Sequence, residues 1–185
     1  TAISTDDGAS FSPPVDISGL ENYGAWINLE EPEAVLDGNT LHVVWPSIED
    51  ADVIRYANCT IDDGITTNYV ETVNTVGVYF NPTLAIGGET LCAVWEKSFG
   101  GSPSLNWAIG NNGLGAASGT PLFEDNISRD APHVFYQDGF HLTYVEPDSL
   151  KIMYMYGELE TITNVSEEKN MAVKLFPVPA ENYLF

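Results

Sequence analysis

Residues 31–68 read EPEAVLDGNTLHVVWPSIEDADVIRYANCTIDDGITTN, and the rest of the chain repeats their order of elements. Pro32 opens a short apolar run ending at Leu36. Asp37-Gly38 follows, a dipeptide suited to the positive φ of a tight hairpin turn. Residues 40–45 alternate, with Leu41, Val43 and Trp45 on one face and His42 and Val44 on the other, the period of a strand. Residues 46–51 read as an acidic loop and residues 53–58 as a third strand. Residues 60–66, TIDDGIT, form a tight acidic turn, and residues 67–73 a fourth strand.

Working outward, Pro82 and Pro132 open similar runs, so three prolines stand fifty residues apart. In the second unit the strands fall at 83–86, 90–95 and 105–109, with a weak fourth near 121–123, and Leu91, Ala93 and Trp95 stand where Leu41, Val43 and Trp45 stood. The third unit has Asp138-Gly139 one residue later than expected, then strands at 141–145, 150–156 and 157–163. Residues 1–18 look like half a unit, an acidic turn at 4–11 and a short strand at 12–17 that Pro13 and Pro14 confine to a sheet edge. Residues 19–31 are a connecting loop. No segment has a capped 3.6-residue period, so the chain is read as all-β. Four short strands per fifty residues, repeated, is the pattern of propeller blades. A solenoid has shorter repeats, and a sandwich leaves the fixed period unexplained. The expectation is a partial β-propeller of about three four-stranded blades with an extended C-terminal tail.

Across 185 residues, 27 acidic side chains face 6 basic ones, a net charge of −21. That excludes binding nucleic acid through its phosphates, which needs clustered Lys and Arg, and disfavours anionic membranes. There is no apolar run long enough for a transmembrane helix. The chain starts at Thr1 inside a turn motif, so a preceding segment is expected. Cys59 and Cys92 do not make a disulfide scaffold; Cys92 reads as a small core residue, and a bridge between the two stays open.

The acidic turns carry a resemblance. Ser4-x-Asp6-x-Gly8-x-Ser10-Phe11 resembles the Asp-box of sialidase-like proteins, and Thr60-x-Asp62-x-Gly64-x-Thr66 fits it with Thr67 at the aromatic position. The order of proline, apolar run, DG turn, Val-Val-Trp strand, Ile-Arg-Tyr-Ala strand and box is similar to blades of the sialidase/BNR-repeat superfamily, over residues 1–163. The resemblance implies a propeller of the sialidase-like type. The box itself is structural: Asp6 and Asp62 suit backbone amides of their own turns, Gly8 and Gly64 supply positive φ, and Phe11 is expected to plug the space between blades.

Catalytic members of that family clamp a substrate carboxylate with three arginines, whose planar forks match it. This chain has two, Arg55 and Arg129, so it holds no such triad. Arg55 lies in a strand, where a structural role is expected; Arg129 lies in the loop before Pro132. Glu33, Thr83 and His133 occupy one position of successive first strands, expected to line a central channel. Trp26 and Tyr79, placed in connecting loops with Tyr23, Phe80 and Phe99, could stack on sugars or dock a partner. The binding candidates are therefore Trp26, Tyr79, Arg129, His133 and Glu33. Glu49, Asp50 and Asp52 are the candidate oxygen ligands for Ca²⁺, against the plainer reading of a solvated acidic loop. His42, His133 and His141 lack metal-ligand spacing, and there is no GxSxG, P-loop or GxGxxG.

Residues 164–170 read as a polar linker. Residues 171–185 contain Leu175-Phe176-Pro177-Val178-Pro179-Ala180, which resembles the opening Leu-Tyr-Pro-Asn-Pro-Ala of a type IX secretion sorting domain. That implies recognition by the type IX machinery and release at the outer surface of a Gram-negative bacterium. The expected function is a secreted or cell-surface, non-catalytic binding module that contacts glycan or protein through its loops. The alternatives are a fragment of a glycoside hydrolase with catalytic residues upstream, and a structural or adhesive repeat protein.

Overall fold

Period-two alternation becomes strand throughout. The computed structural model describes residues 1–18, 32–47, 53–74, 78–99, 102–111, 113–114, 120–122, 130–146, 151–160 and 172–178. Among them, β1 (Glu33–Asp37), β2 (Thr40–Ser47), β3 (Val53–Ile61) and β4 (Ile65–Asn74) form a first antiparallel sheet. A second holds β5 (Val78–Gly87), β6 (Thr90–Phe99), β7 (Ser102–Asn111) and β8 (Thr120–Pro121). A third holds β9 (Asp130–Tyr136), β10 (Phe140–Glu146), β11 (Lys151–Glu160) and β12 (Ala172–Val178). Each strand pairs with its sequence neighbours, so each sheet is a meander.

The late Asp138-Gly139 has a simple cause. In the first two sheets the opening hairpin turns through two residues, from Asp37 to Thr40 and from Gly87 to Thr90, with Gly38 and Gly88 at positive φ. In the third, Tyr136 pairs with Phe140 across three residues, and Asp138 takes the positive φ. A Cβ at Gly139 would run into the Tyr156 ring, so any side chain there would displace that ring.

The sheets stack face to face in chain order. The face each sheet turns toward the next is called here its trailing face, the other its leading face. On the first sheet's trailing face, Val44, Ile54, Tyr56 and Val73 meet Leu84, Leu91, Ala93 and Trp95 of the second sheet's leading face. The opposite parity of the second sheet, Ala85, Cys92, Val94 and Leu105, meets Val134, Phe140, Leu142, Tyr144 and Met155 of the third. Burying a side chain such as Ile54 or Leu91 contributes about 1.5–3 kcal/mol, and both are fully buried. On the first sheet's leading face, Val43, Trp45, Ala57 and Cys59 form a third cluster, joined by Ile17. Within the stack the first strand of each incoming sheet lies across its predecessor: β5 against β1 and β2, β9 against β5 and β6. The Val134 backbone N–H donates to Thr83 Oγ1 at 3.2 Å, tying β9 to β5.

The structure corrects several expectations. The described residues 151–160 run as one strand, β11, across the boundary expected between two strands at 156 and 157, and the fourth strand comes from the supposed tail: β12 pairs with β11 from Tyr154–Val178 to Glu160–Ala172. An unpaired β11 edge would leave a row of amides unsatisfied, and Pro177 is tolerated because β12 is itself an edge. Tyr79, Phe80 and Phe99 lie within β5 and β6, not in loops, because that ladder continues past an irregularity between Phe80 and Thr83. Residues 12–17 are not a strand; Ser12 and Val15 instead close a short hairpin onto Ile3 and Thr1. Phe11 is 66% exposed and plugs nothing, since its turn stands off the sheets and the hairpin segment reaches a core cluster through Ile17. Gly64 does not adopt positive φ, so its turn closes without one.

Candidate interaction surface

Among the described residues, a network of bonded polar side chains lies at the hairpin end of the first sheet. Asn58 and Thr60 alternate along β3, continuing the face that carries Tyr56. Across from them the ladder breaks: Asn58 pairs with Tyr69, but Cys59 pairs with Thr67, so Asn68 is an extra, bulged residue. A bulge re-aims its side chain. The Asn68 amide donates to Asn58 Oδ1 at 2.6 Å and to Thr60 Oγ1 at 2.9 Å. At the turns, Asn39 Nδ2 donates to Asp62 Oδ1 at 3.1 Å, and the Ile61 N–H donates to the Asn39 carbonyl at 2.7 Å. These bonds lock the β1–β2 and β3–β4 turns together.

Beside this ladder stands Tyr69, exposed, with its ring centroid 6.0 Å from that of Tyr56. Tyr56 is fully buried, and its hydroxyl lies 2.6 Å from His42 Nδ1 in a hydrogen bond. Burial raises the Tyr56 hydroxyl above its ordinary pKa, raises Tyr69 as well, and lowers His42, so this network is neutral near pH 7. The Leu114 N–H donates to Glu71 Oε1 at 2.6 Å, fixing the neighbouring turn of the second sheet against β4. The result is a fixed set of amide and hydroxyl groups with a partly exposed aromatic ring beside it. Such a surface can bond a polyhydroxylated ligand and pack against its apolar face.

The predicted residues that are described fall elsewhere. Thr83 is buried between the second and third sheets, where its hydroxyl accepts from the Val134 N–H. Glu33 is half-buried at the same position of β1. His133 is exposed on the third sheet's trailing face, its ring centroid 6.4 Å from Phe135. Tyr79 has its backbone in β5. Trp26, Arg129, Glu49, Asp50 and Asp52 lie outside the described residues. Among the described residues no group of three acidic, His or Cys side chains is placed to hold a metal ion. Arg55 is half-buried in β3 opposite Trp45. Cys59 and Cys92 are free, buried thiols in different sheets, and burial pushes Cys92 up to about 12.

The two acidic turns differ. In the first, Asp6 accepts from the Ser10 N–H at 2.9 Å, the Ser10 hydroxyl at 2.6 Å and the Ser4 hydroxyl at 2.8 Å. Those donors, Ser10 first, pull the carboxyl down to about 2. Gly8, at φ 86°, donates its N–H to Ser4 Oγ at 2.8 Å. In the second turn the Asp62 carboxylate serves Asn39 of the neighbouring hairpin. Sequence reasoning missed Asn39, Asn58, Asn68 and Tyr69. Their signal was a run of amides and hydroxyls on one parity of β3, next to an aromatic in β4. No family model matches the chain, and no curated protein is similar to it.

Proposed function

We propose that this chain is a secreted or cell-surface binding module of sialidase-like propeller blades, contacting glycan through the hairpin ends of its first sheet. Three meandering four-stranded sheets with their first strands side by side support the propeller reading. The observation that carries glycan binding is the bulged Asn68, held on Asn58 and Thr60 beside the exposed Tyr69. Preformed amides and hydroxyls lose little entropy on meeting sugar hydroxyls. A surface protein would reach the same groups less fully, because they lie within one narrow hairpin end. Export follows from the likeness of residues 175–180 to a type IX sorting signal, carried on the edge strand β12 and the residues after it.

The test is retention on an array of neutral and sialylated glycans. The unchanged chain is expected to be retained by some glycans and to leave sialoside reporters intact. Asn68→Ala and Tyr69→Ala are each expected to weaken retention roughly tenfold, the size of one lost hydrogen-bonded or aromatic contact. Turnover of a reporter, or retention indifferent to both substitutions, overturns the reading.

A further inference from the structure

Three residues stand abreast on the trailing face of the first sheet. His42 on β2 is registered with Asn58 on β3, and Asn58 with Tyr69 on β4. Tyr56, two residues before Asn58 on the same face, sends its hydroxyl among them. That hydroxyl lies 2.6 Å from His42 Nδ1 and hydrogen-bonds Asn58 and Tyr69 as well. Glu71 follows Tyr69 on this face of β4, and its Oε1 accepts from the Leu114 N–H at 2.6 Å. The second sheet's turn at Gly113 comes close to both. A Cβ at Gly113 would sit 2.8 Å from Tyr69 Oη and 3.2 Å from Glu71 Oε1. Glycine there leaves the hydroxyl and the carboxylate a shared space, beside the exposed Tyr69 ring.

The number of available protons sets the direction of these bonds. A carboxylate only accepts, so the Tyr69 proton turns toward Glu71. The Tyr69 oxygen then accepts from Tyr56, whose one proton is thereby spent. Tyr56 is left to accept, from the Asn58 amide and from His42, so His42 carries its proton on Nδ1. The same pair in the third sheet runs the other way. His141 Nε2 lies 2.7 Å from the Gln137 carbonyl, which only accepts, so Nδ1 accepts from the Tyr154 hydroxyl. A sugar hydroxyl fits the outer end of the first-sheet chain, because it accepts from one neighbour and donates to the next. An oxygen that only accepts has no proton to offer Glu71.

We propose that the space between Tyr69, Glu71 and Gly113 seats one free hydroxyl of a neutral sugar, which accepts from Tyr69 and donates to Glu71. His42 and Tyr56 are positioning residues that aim the Tyr69 proton at that hydroxyl. Carboxylated sugars are rejected, because a carboxylate at the seat meets the Glu71 carboxylate with no proton between them. The net charge of −21 adds to the rejection. The seat presupposes the glycan binding proposed above and names the class of glycan that the surface takes.

The experiment sets neutral oligosaccharides beside the same oligosaccharides capped with sialic acid and beside permethylated copies. The unchanged chain is expected to retain the neutral set at least about tenfold more tightly than either modified set. Gly113→Ala puts a methyl group into the seat and is expected to lose that retention by at least about tenfold. Only the tips of Tyr69 and Glu71 must give way to it, so far-ultraviolet circular dichroism stays unchanged. Tyr69→Phe keeps the ring and is expected to lose about fivefold. Glu71→Gln keeps an acceptor for the Leu114 N–H and is expected to narrow the gap between neutral and sialylated sets. Nitrogen-15 NMR of the unliganded chain reads the positioning directly, with His42 protonated on Nδ1 and His141 on Nε2. His42 protonated on Nε2 overturns the positioning role. Neutral glycans retained equally by Gly113→Ala and Tyr69→Phe overturn the seat while glycan binding stands. Tighter retention of the sialylated set overturns the assigned class, and retention of no glycan overturns the seat and glycan binding together.

Discussion

The first and third sheets carry the same pair of side chains in different surroundings. His42 sits two residues out of register from Tyr56, and His141 two residues out of register from Tyr154, each with Nδ1 2.6 Å from the hydroxyl. In the first sheet the pair lies under the second sheet, and Tyr56 is fully buried. In the third sheet His141 and Tyr154 are half-buried, and His141 turns its second nitrogen to the Gln137 carbonyl at 2.7 Å. The middle sheet replaces the pair with Cys92 and Trp107, which join the apolar cluster against the third sheet. A repeat can therefore satisfy this position with a polar pair or with apolar bulk. What decides the energetic weight of the pair is the cover above it.

The largest break in that comparison comes from truncation. Tyr56→Ala is expected to cost about 3–5 kcal/mol, as for a large buried aromatic, and Tyr154→Ala no more than about 1–2 kcal/mol. Urea unfolding of the two variants side by side checks it; equal losses would mean that the third sheet's face is already covered. A smaller effect follows from pH. Burial holds His42 below its ordinary pKa, so the unfolded chain takes up a proton first. Stability from this site is full above the unfolded value near 6.5 and is lost as pH falls below it. Urea midpoints between pH 7.5 and 5.5, about one unit either side of that value, should drop in the unchanged chain and drop less in His42→Gln. The smallest effect is at Asp6, fully outside the core. Its lowered carboxyl supports the N-terminal hairpin above the unfolded value of 3.8, with the support lost as pH falls toward 2. Carbon-detected titration should place that midpoint near 2, and Asp6→Asn should fray residues 1–15 while leaving the sheets intact.

Much of this architecture is legible in the chain. The split of Val43 and Trp45 from His42 and Val44 survives as two separate core clusters, because alternation fixes which face each residue takes once a strand forms. The fifty-residue period reappears as three stacked sheets. What escaped depends on pairing and not on composition. The bulge at Asn68 exists only as a mismatch between β3 and β4, and neither strand alone contains it. The fourth strand of the third sheet follows a gap of eleven residues in the described chain and resembles something else by motif. Nor could the acidic turns tell their own difference: both fit one pattern, yet Asp6 holds its own turn and Asp62 holds a neighbouring one.

Every pairing within the three sheets joins strands consecutive in sequence. Loop closure is therefore cheap for each hairpin, and a sheet can assemble before the next is made. During synthesis the first sheet would wait with Val44, Ile54 and Tyr56 uncovered until β5 and β6 arrive. The second then waits for the third, whose edge is closed by β12. The growing end of this stack is always an apolar sheet face, so its hazard of misassembly lies in the timing of emergence, and a pause after β4 is the interval most open to capture by another chain.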